Sequence, residues 1–115
     1  MELRGVYVCE GLLWLSFRAD NRSAIDFRAG AVRVAIRDRK AFKRRALQEM
    51  ALAVVFRQEP VVLRSDSTVA FCDGVAPRVP GKGQEVVVEW AERDGDRRVE
   101  LKVPGKRVLR AGKIE

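Results

Sequence analysis

Apolar residues along this chain recur mostly at every second position, the spacing of strands that bury one face. Val32, Val34 and Ile36 alternate with Arg33, Ala35 and Arg37, which predicts a strand with one apolar and one largely basic face. Val99, Leu101 and Val103 alternate with Arg98, Glu100 and Lys102 in the same way. Residues 12–18 (Leu-Leu-Trp-Leu-Ser-Phe-Arg) and 85–92 (Glu-Val-Val-Val-Glu-Trp-Ala-Glu) read as strands buried more fully. Core packing is therefore the expected role of both Trp14 and Trp90. Cys9-Glu10-Gly11 is short enough to turn a hairpin, and Asp94-Gly95-Asp96 is expected to turn another, with glycine supplying positive φ. Pro77, Pro80 and Pro104 mark strand entries or breaks. Short strands at roughly ten-residue spacing predict an all-β fold, an immunoglobulin-like antiparallel β-sandwich of about seven to eight strands. No repeat or linker interrupts residues 1–115, so a single domain is expected.

One stretch resists the period of two. Phe42, Ala46, Leu47, Met50 and Val54 fall near a helical spacing among good helix formers, consistent with a helix over residues 39–53. The alternative is a basic loop followed by a strand from about 47 to 56, whose Ala51–Phe56 run enters the core. Periodicity does not decide between them.

Charge adds a local feature. The chain of 115 residues has 23 Lys plus Arg against 16 Asp plus Glu, a net +7. Seven of those cations (Arg33, Arg37, Arg39, Lys40, Lys43, Arg44, Arg45) lie in residues 33–45 against the single acid Asp38. Such a block attracts phosphates, acidic protein surfaces or anionic lipid. Only Phe42 lies within it to stack on a base, and no zinc finger, RRM signature or KH loop accompanies it. A solvated basic loop, partly paired with Asp38 or Glu49, explains the block equally well.

Catalytic and metal chemistry find little footing. There is no histidine, which excludes a Ser-His-Asp triad, a Cys-His dyad and imidazole metal ligands. Cys9 and Cys72 are too few for a closed four-cysteine zinc site, and their spacing leaves open whether they pair. Asp94 and Asp96 lack the further oxygen ligands of a calcium loop. Val79-Pro80-Gly81-Lys82-Gly83 lacks the spacing of a phosphate-wrapping loop and reads as a turn. Asn21 and Ser23, in Asn21-Arg22-Ser23-Ala24, read as side chains that order their own loop backbone. The expectation is a non-enzymatic module without a cofactor. No apolar stretch approaches the ~18 residues of a membrane helix. Met-Glu-Leu-Arg-Gly at the start has no signal-peptide pattern.

The order of short motifs is nevertheless distinctive. Asn21-Arg22-Ser23 is followed by Ile25-Asp26-Phe27 and by Val34-Ala35-Ile36-Arg37-Asp38-Arg39-Lys40. Then come Lys43-Arg44-Arg45-Ala46-Leu47-Gln48-Glu49, Val79-Pro80-Gly81-Lys82 and Glu92-Arg93-Asp94-Gly95-Asp96-Arg97-Arg98. This series resembles the C-terminal domain of TraN-like conjugative transposon proteins of Bacteroidetes, the DUF4138 family, over nearly the whole chain. Arg45 stands where the family usually has Thr, and Asp96 where the hairpin often has a second Gly.

The resemblance implies the C-terminal domain of a longer exported protein, periplasmic or associated with the outer membrane. It implies a non-catalytic component of a conjugative, type IV-like DNA transfer apparatus that docks other transfer proteins, with homo-oligomerisation possible in the assembly. It also favours loop plus strand over helix for residues 38–56. The expected interaction block is Arg37, Asp38, Arg39, Lys40, Lys43, Arg44, Gln48 and Glu49, with Asp38 pairing Arg44 or Lys43 as a structural contact. The alternative is a basic β-domain that contacts transferred single-stranded DNA.

Overall fold

The computed structural model describes residues 1–39 and 49–113. The strands in chain order are β1 (Glu2–Cys9), β2 (Leu12–Asn21), β3 (Phe27–Arg28), β4 (Arg33–Asp38), β5 (Glu49–Leu52) and β6 (Val54–Phe56). They continue with β7 (Val62–Leu63), β8 (Ser67–Val75), β9 (Gln84–Ala91) and β10 (Arg98–Pro104). A short helix α1 (Gly105–Leu109) and a last strand β11 (Gly112–Lys113) complete the described chain. One sheet has the order β11-β1-β2-β8-β6, a second β10-β9-β4-β5, and β3 pairs with β7 in a third, two-stranded sheet. The chain is an all-β, sandwich-like protein, and among the described residues all strand pairings are antiparallel except β1 with β11.

The core lies between the five- and four-stranded sheets. Leu13, Leu15 and Phe17 of β2 and Phe71 and Val75 of β8 face Val34 and Ile36 of β4 and Val86, Val88 and Trp90 of β9. A chain of ring contacts crosses the gap, from Phe17 to Phe71 (5.3 Å between centroids), to Trp90 (5.4 Å) and on to Phe27 (5.4 Å). Trp90 is buried as expected, and its Nε1 donates to the Gly30 carbonyl at 2.9 Å. Helix α1 inserts Val108 into the core, and Arg107 donates to the Leu3 carbonyl.

Several sequence expectations are corrected. Strand count exceeds seven to eight because the chain between β4 and β8 breaks into short strands and β11 adds an edge by parallel pairing. The expected helix cannot reach residue 53, since residues 49–52 form β5 against β4; residues 40–48 lie outside the described residues. The chain switches sheets at Ala53, passing from β5 in one sheet to β6 in the other. As a result the Ala51–Phe56 run does not enter the core as a block: Leu52 is buried and Val54 half-buried, while Val55 and Phe56 stay more than half exposed.

Strand β2 is not buried on both faces either. Leu13, Leu15, Phe17 and Ala19 point inward, and Leu12, Trp14 and Ser16 are half-buried on the outer face. Trp14 is therefore a surface tryptophan. At the β1–β2 turn both Glu10 (φ 51°) and Gly11 (φ 75°) adopt the left-handed region that a two-residue hairpin requires. In the β9–β10 turn the positive φ belongs to Asp94 (55°), not to Gly95. Gly95 is needed for space, because a Cβ there would collide with the Glu92 carboxylate.

Candidate functional site

The expected interaction block divides into paired, cleft-lining and undescribed members. Arg33 and Arg37 sit on the outer face of the four-stranded sheet, which alternation predicts. Their charges are not free there: Arg33 pairs with Glu49 on β5 and with Glu89 (3.5 Å) on β9, and Arg37 with Glu100 (3.2 Å) on β10. The Glu49 carboxylate pushes the Arg33 guanidinium pKa up further. This face carries four cations (Arg33, Arg37, Arg98, Lys102) and four carboxylates (Glu49, Glu85, Glu89, Glu100) in interleaved register around Ala35 and Val87. It is a neutral lattice of charge, and the basic face read from β4 alone is cancelled by its neighbours.

Asp38 accepts from Gln84 Nε2 at 3.4 Å. Arg39 follows it, its N–H bonded to the Gly83 carbonyl (2.8 Å), on the rim of a cleft of about 350 Å³ shared with Lys82 and Lys106. Lys40, Lys43, Arg44 and Gln48, and the expected pairing of Asp38 with Arg44 or Lys43, lie outside the described residues.

Asn21 and Ser23 form part of a polar knot at the far end of β9. Asn21 is buried; its Nδ2 donates to Ile25 O (2.9 Å) and Leu63 O (3.0 Å), and its Oδ1 accepts from Ser23 N (3.1 Å) and Ser23 Oγ (2.7 Å). Arg97 reaches in from the β9–β10 turn, donating to Ser23 Oγ (3.2 Å), Asp26 O (2.6 Å) and Glu92 Oε2, with its guanidinium 5.4 Å from the Phe27 ring centre. That contact with Arg97 holds the Glu92 pKa below its usual range. The knot ties the 21–26 loop to the hairpin and leaves no open donor set.

Two features went unread in the sequence. The first is a buried acid pair. Asp73 is fully enclosed on the inner face of β8, opposite Leu15. Its Oδ1 accepts from Gln58 N at 2.8 Å, while its Oδ2 and Glu59 Oε2 are both buried with no donor among the described residues, which a proton held by one of the two carboxyls would satisfy. Burial, then the neighbouring Glu59, pushes the Asp73 pKa up to about 7. Burial also opposes charge on Glu59, but hydrogen bonds from Asp73, Val32 N and Arg57 outweigh it and hold its pKa low. Arg57 Nη1 bridges Glu59 Oε1 and the Val32 carbonyl, both at 2.7 Å. Glu59 Oε1 also takes the Val32 N–H (3.0 Å), so two side chains replace a strand partner for Val32. Paired carboxyls serve acid–base catalysis elsewhere; here Asp73 is fully buried, and Glu59 with the half-exposed Arg57 ties residues 57–59 to Val32. The signal was present: Val69, Phe71, Asp73 and Val75 alternate, which puts Asp73 on the apolar face.

The second is an aromatic row. The registers place Gly112, Tyr7, Trp14, Gly74 and Phe56 on one line across all five strands of the larger sheet, on its outer face. Trp14 lies over Gly74, where a Cβ would come within 3.1 Å of the ring, and its Nε1 donates to Cys9 O (3.3 Å). Phe56 stacks beside it, 5.7 Å between centroids and 20° between planes. Tyr7 lies against Gly5 and Gly112. The flanking rows hold Cys9 with Leu12, and Gly5 with Ser16 and Cys72. None of the residues named in these three rows is charged, in a chain that is 34% charged. The turn made the Tyr7–Trp14 pair predictable, since Cys9 opposite Leu12 sets Tyr7 opposite Trp14.

Both cysteines lie on this face and both are free. Two strand spacings and four residues of rise separate them by roughly 16 Å, against the ~7 Å that a disulfide allows between Cα atoms. Among the described residues no group of His, Cys, Asp and Glu could hold a metal ion, and no helix is long and apolar enough to cross a membrane.

Fold and surface together define a small β-sandwich-like domain with one charge-balanced face and one aromatic face. The chain belongs to the family described as Domain of unknown function (DUF4138), whose sequence model matches residues 1–113. No curated protein matches it.

Proposed function

We propose that this chain is a non-catalytic docking module of a conjugative, type IV-like DNA transfer apparatus. In this reading it forms the C-terminal part of a longer exported protein and binds another transfer protein at the periplasmic or outer-membrane side of the cell envelope. The resemblance of its motif series to TraN-like proteins supplies the conjugation context. The observation that carries docking is the uncharged row of Tyr7, Trp14 and Phe56. Protein interfaces are depleted of charge at their centre and enriched in aromatic residues. A solvated sheet face looks instead like the opposite one, with its lattice of ion pairs. The net charge of +7 steers an acidic partner toward the chain and favours another transfer protein over a second copy as the occupant of this face.

Conjugation frequency from a donor carrying the full-length parent tests this, with Trp14→Ser plus Phe56→Ser compared with wild type. Truncating two central aromatics is expected to weaken docking by about 30-fold or more and to lower transfer at unchanged protein level. A photo-crosslinker at position 56 should capture a second transfer protein. Unchanged transfer with a folded variant would refute the reading.

One observation favours the alternative, a basic domain that contacts single-stranded DNA: Arg39, Lys82 and Lys106 gather around one cleft. A steep loss of single-stranded DNA affinity with salt, abolished by Lys43→Glu plus Arg44→Glu, would support it.

A further inference from the structure

The loop between β8 and β9 turns at Pro80-Gly81-Lys82-Gly83, closed by Gln84 N to Gly81 O (3.0 Å) and by Gly81 N to Gln84 Oε1 (2.9 Å). Gly83, at φ 79°, holds the corner. Across from this turn, α1 begins at Gly105, where a Cβ would already touch Pro80 at 3.4 Å. Residues of both elements line a cleft of about 350 Å³. That volume accommodates a few side chains of a peptide.

Its chemistry is specific in three respects. Arg39, Lys82 and Lys106 approach it from three separate elements, the end of β4, the turn and α1. None of the three has an ion-pair partner among the described residues, whereas Arg33 and Arg37 of β4 are both neutralised. No carboxylate lines the cleft among the described residues. Leu109 stands at the wall with 70 % of its surface exposed, beside Pro80. A cation cluster with an adjoining apolar wall suits a ligand that is both anionic and apolar. Nucleic acid fits less well, because no aromatic ring lines the cleft among the described residues to receive a base.

We propose that the cleft between the Pro80–Gln84 turn and α1 binds an acidic peptide segment, with its carboxylates on Arg39, Lys82 and Lys106 and an apolar side chain on Leu109. The proposal uses none of the residues of the aromatic row. It deepens the docking reading by assigning a second contact and its chemistry, and it stands or falls on different variants.

The test is fluorescence anisotropy of the whole chain with a labelled peptide, Glu-Leu-Glu-Asp-Leu-Glu, at low salt. The controls are the same peptide with Gln and Asn for its acids, and a dodecathymidylate. The acidic peptide should bind and the amide control should not. Lys82→Glu plus Lys106→Glu should weaken it by about tenfold or more, with loss of salt dependence. Arg22→Glu plus Arg93→Glu, the same change in net charge at the far end of β9, should weaken it less than threefold. Leu109→Ser should lower affinity while leaving the salt slope intact. Trp14→Ser should leave peptide binding unchanged, so failure here and failure of the aromatic docking face are read separately. Equal losses from both charge-reversed pairs would overturn the proposal, as would dodecathymidylate binding the cleft more tightly than the peptide.

Discussion

Replacing Asp73 by Asn should make this protein more stable at alkaline pH, although it alters a fully buried, hydrogen-bonded residue. In the native state the Asp73 carboxyl keeps a proton up to about pH 7, against 3.8 for a free side chain. The unfolded chain gives that proton up near pH 4. Stability from this group is therefore complete below about pH 4 and falls as pH rises through about 7. The difference corresponds to something on the order of 4 kcal/mol at pH 8, as an upper bound. Glu59 works in the opposite sense: its lowered pKa adds stability above its unfolded value, lost as pH falls. The pair titrates as a unit, with Arg57 as the charged group beside it. Maximum stability is expected on the acidic side of neutrality, between the two transitions.

Asn at position 73 keeps an oxygen for the Gln58 N–H and offers Glu59 an amide donor at every pH. The variant should be about 1–3 kcal/mol more stable than wild type at pH 8.5 and within about 1 kcal/mol of it at pH 5.5. Urea unfolding followed by tryptophan fluorescence at pH 5.5, 6.5, 7.5 and 8.5 measures this directly. A wild-type stability that is flat or rising from pH 5.5 to 8.5 would refute the shared proton. So would a variant that keeps the wild-type slope.

Asn21→Ala removes the side-chain donor to Leu63 O and one of three donors to Ile25 O, which keeps Ser23 Oγ and Arg97 Nη1, and should cost about 1–2 kcal/mol in the same assay. Glu10→Asn places a residue tolerant of positive φ in the β1–β2 turn and should raise stability by about 0.5–1 kcal/mol. Thiol titration should find two free cysteines in the denatured chain without reductant, and non-reducing electrophoresis should show no mobility shift from an internal bridge. Gly74→Val forces the Trp14 ring off β8, so it should shift the fluorescence of Trp14 and weaken capture of the docking partner while the core around Trp90 stays intact.

The sequence was informative wherever one strand's alternation decided the outcome, and misleading wherever a neighbour did. Val34, Ile36 and Val103 are buried as their spacing predicts, because side-chain direction along a strand is a local property. The fate of Arg33 and Arg37 is not local. Whether they form a basic patch depends on which residues β9, β10 and β5 bring alongside, and those strands are drawn from residues 49–52 and 84–104. The same holds for Trp14, whose apolar neighbours in sequence suggested a core position. Its real environment is set across the sheet, by Tyr7, Gly74 and Phe56, which no window of ten residues contains. Register is thus the missing variable, and it acts in opposite directions on the two faces. It cancels charge on the four-stranded sheet and gathers rings on the five-stranded one. The charge left uncancelled among the described residues of the basic block is that of Arg39, which lies one residue past the end of β4 and has no ion pair among the described residues. Of the described members of the block, Arg39 is therefore the one whose charge the proposed acidic partner would meet.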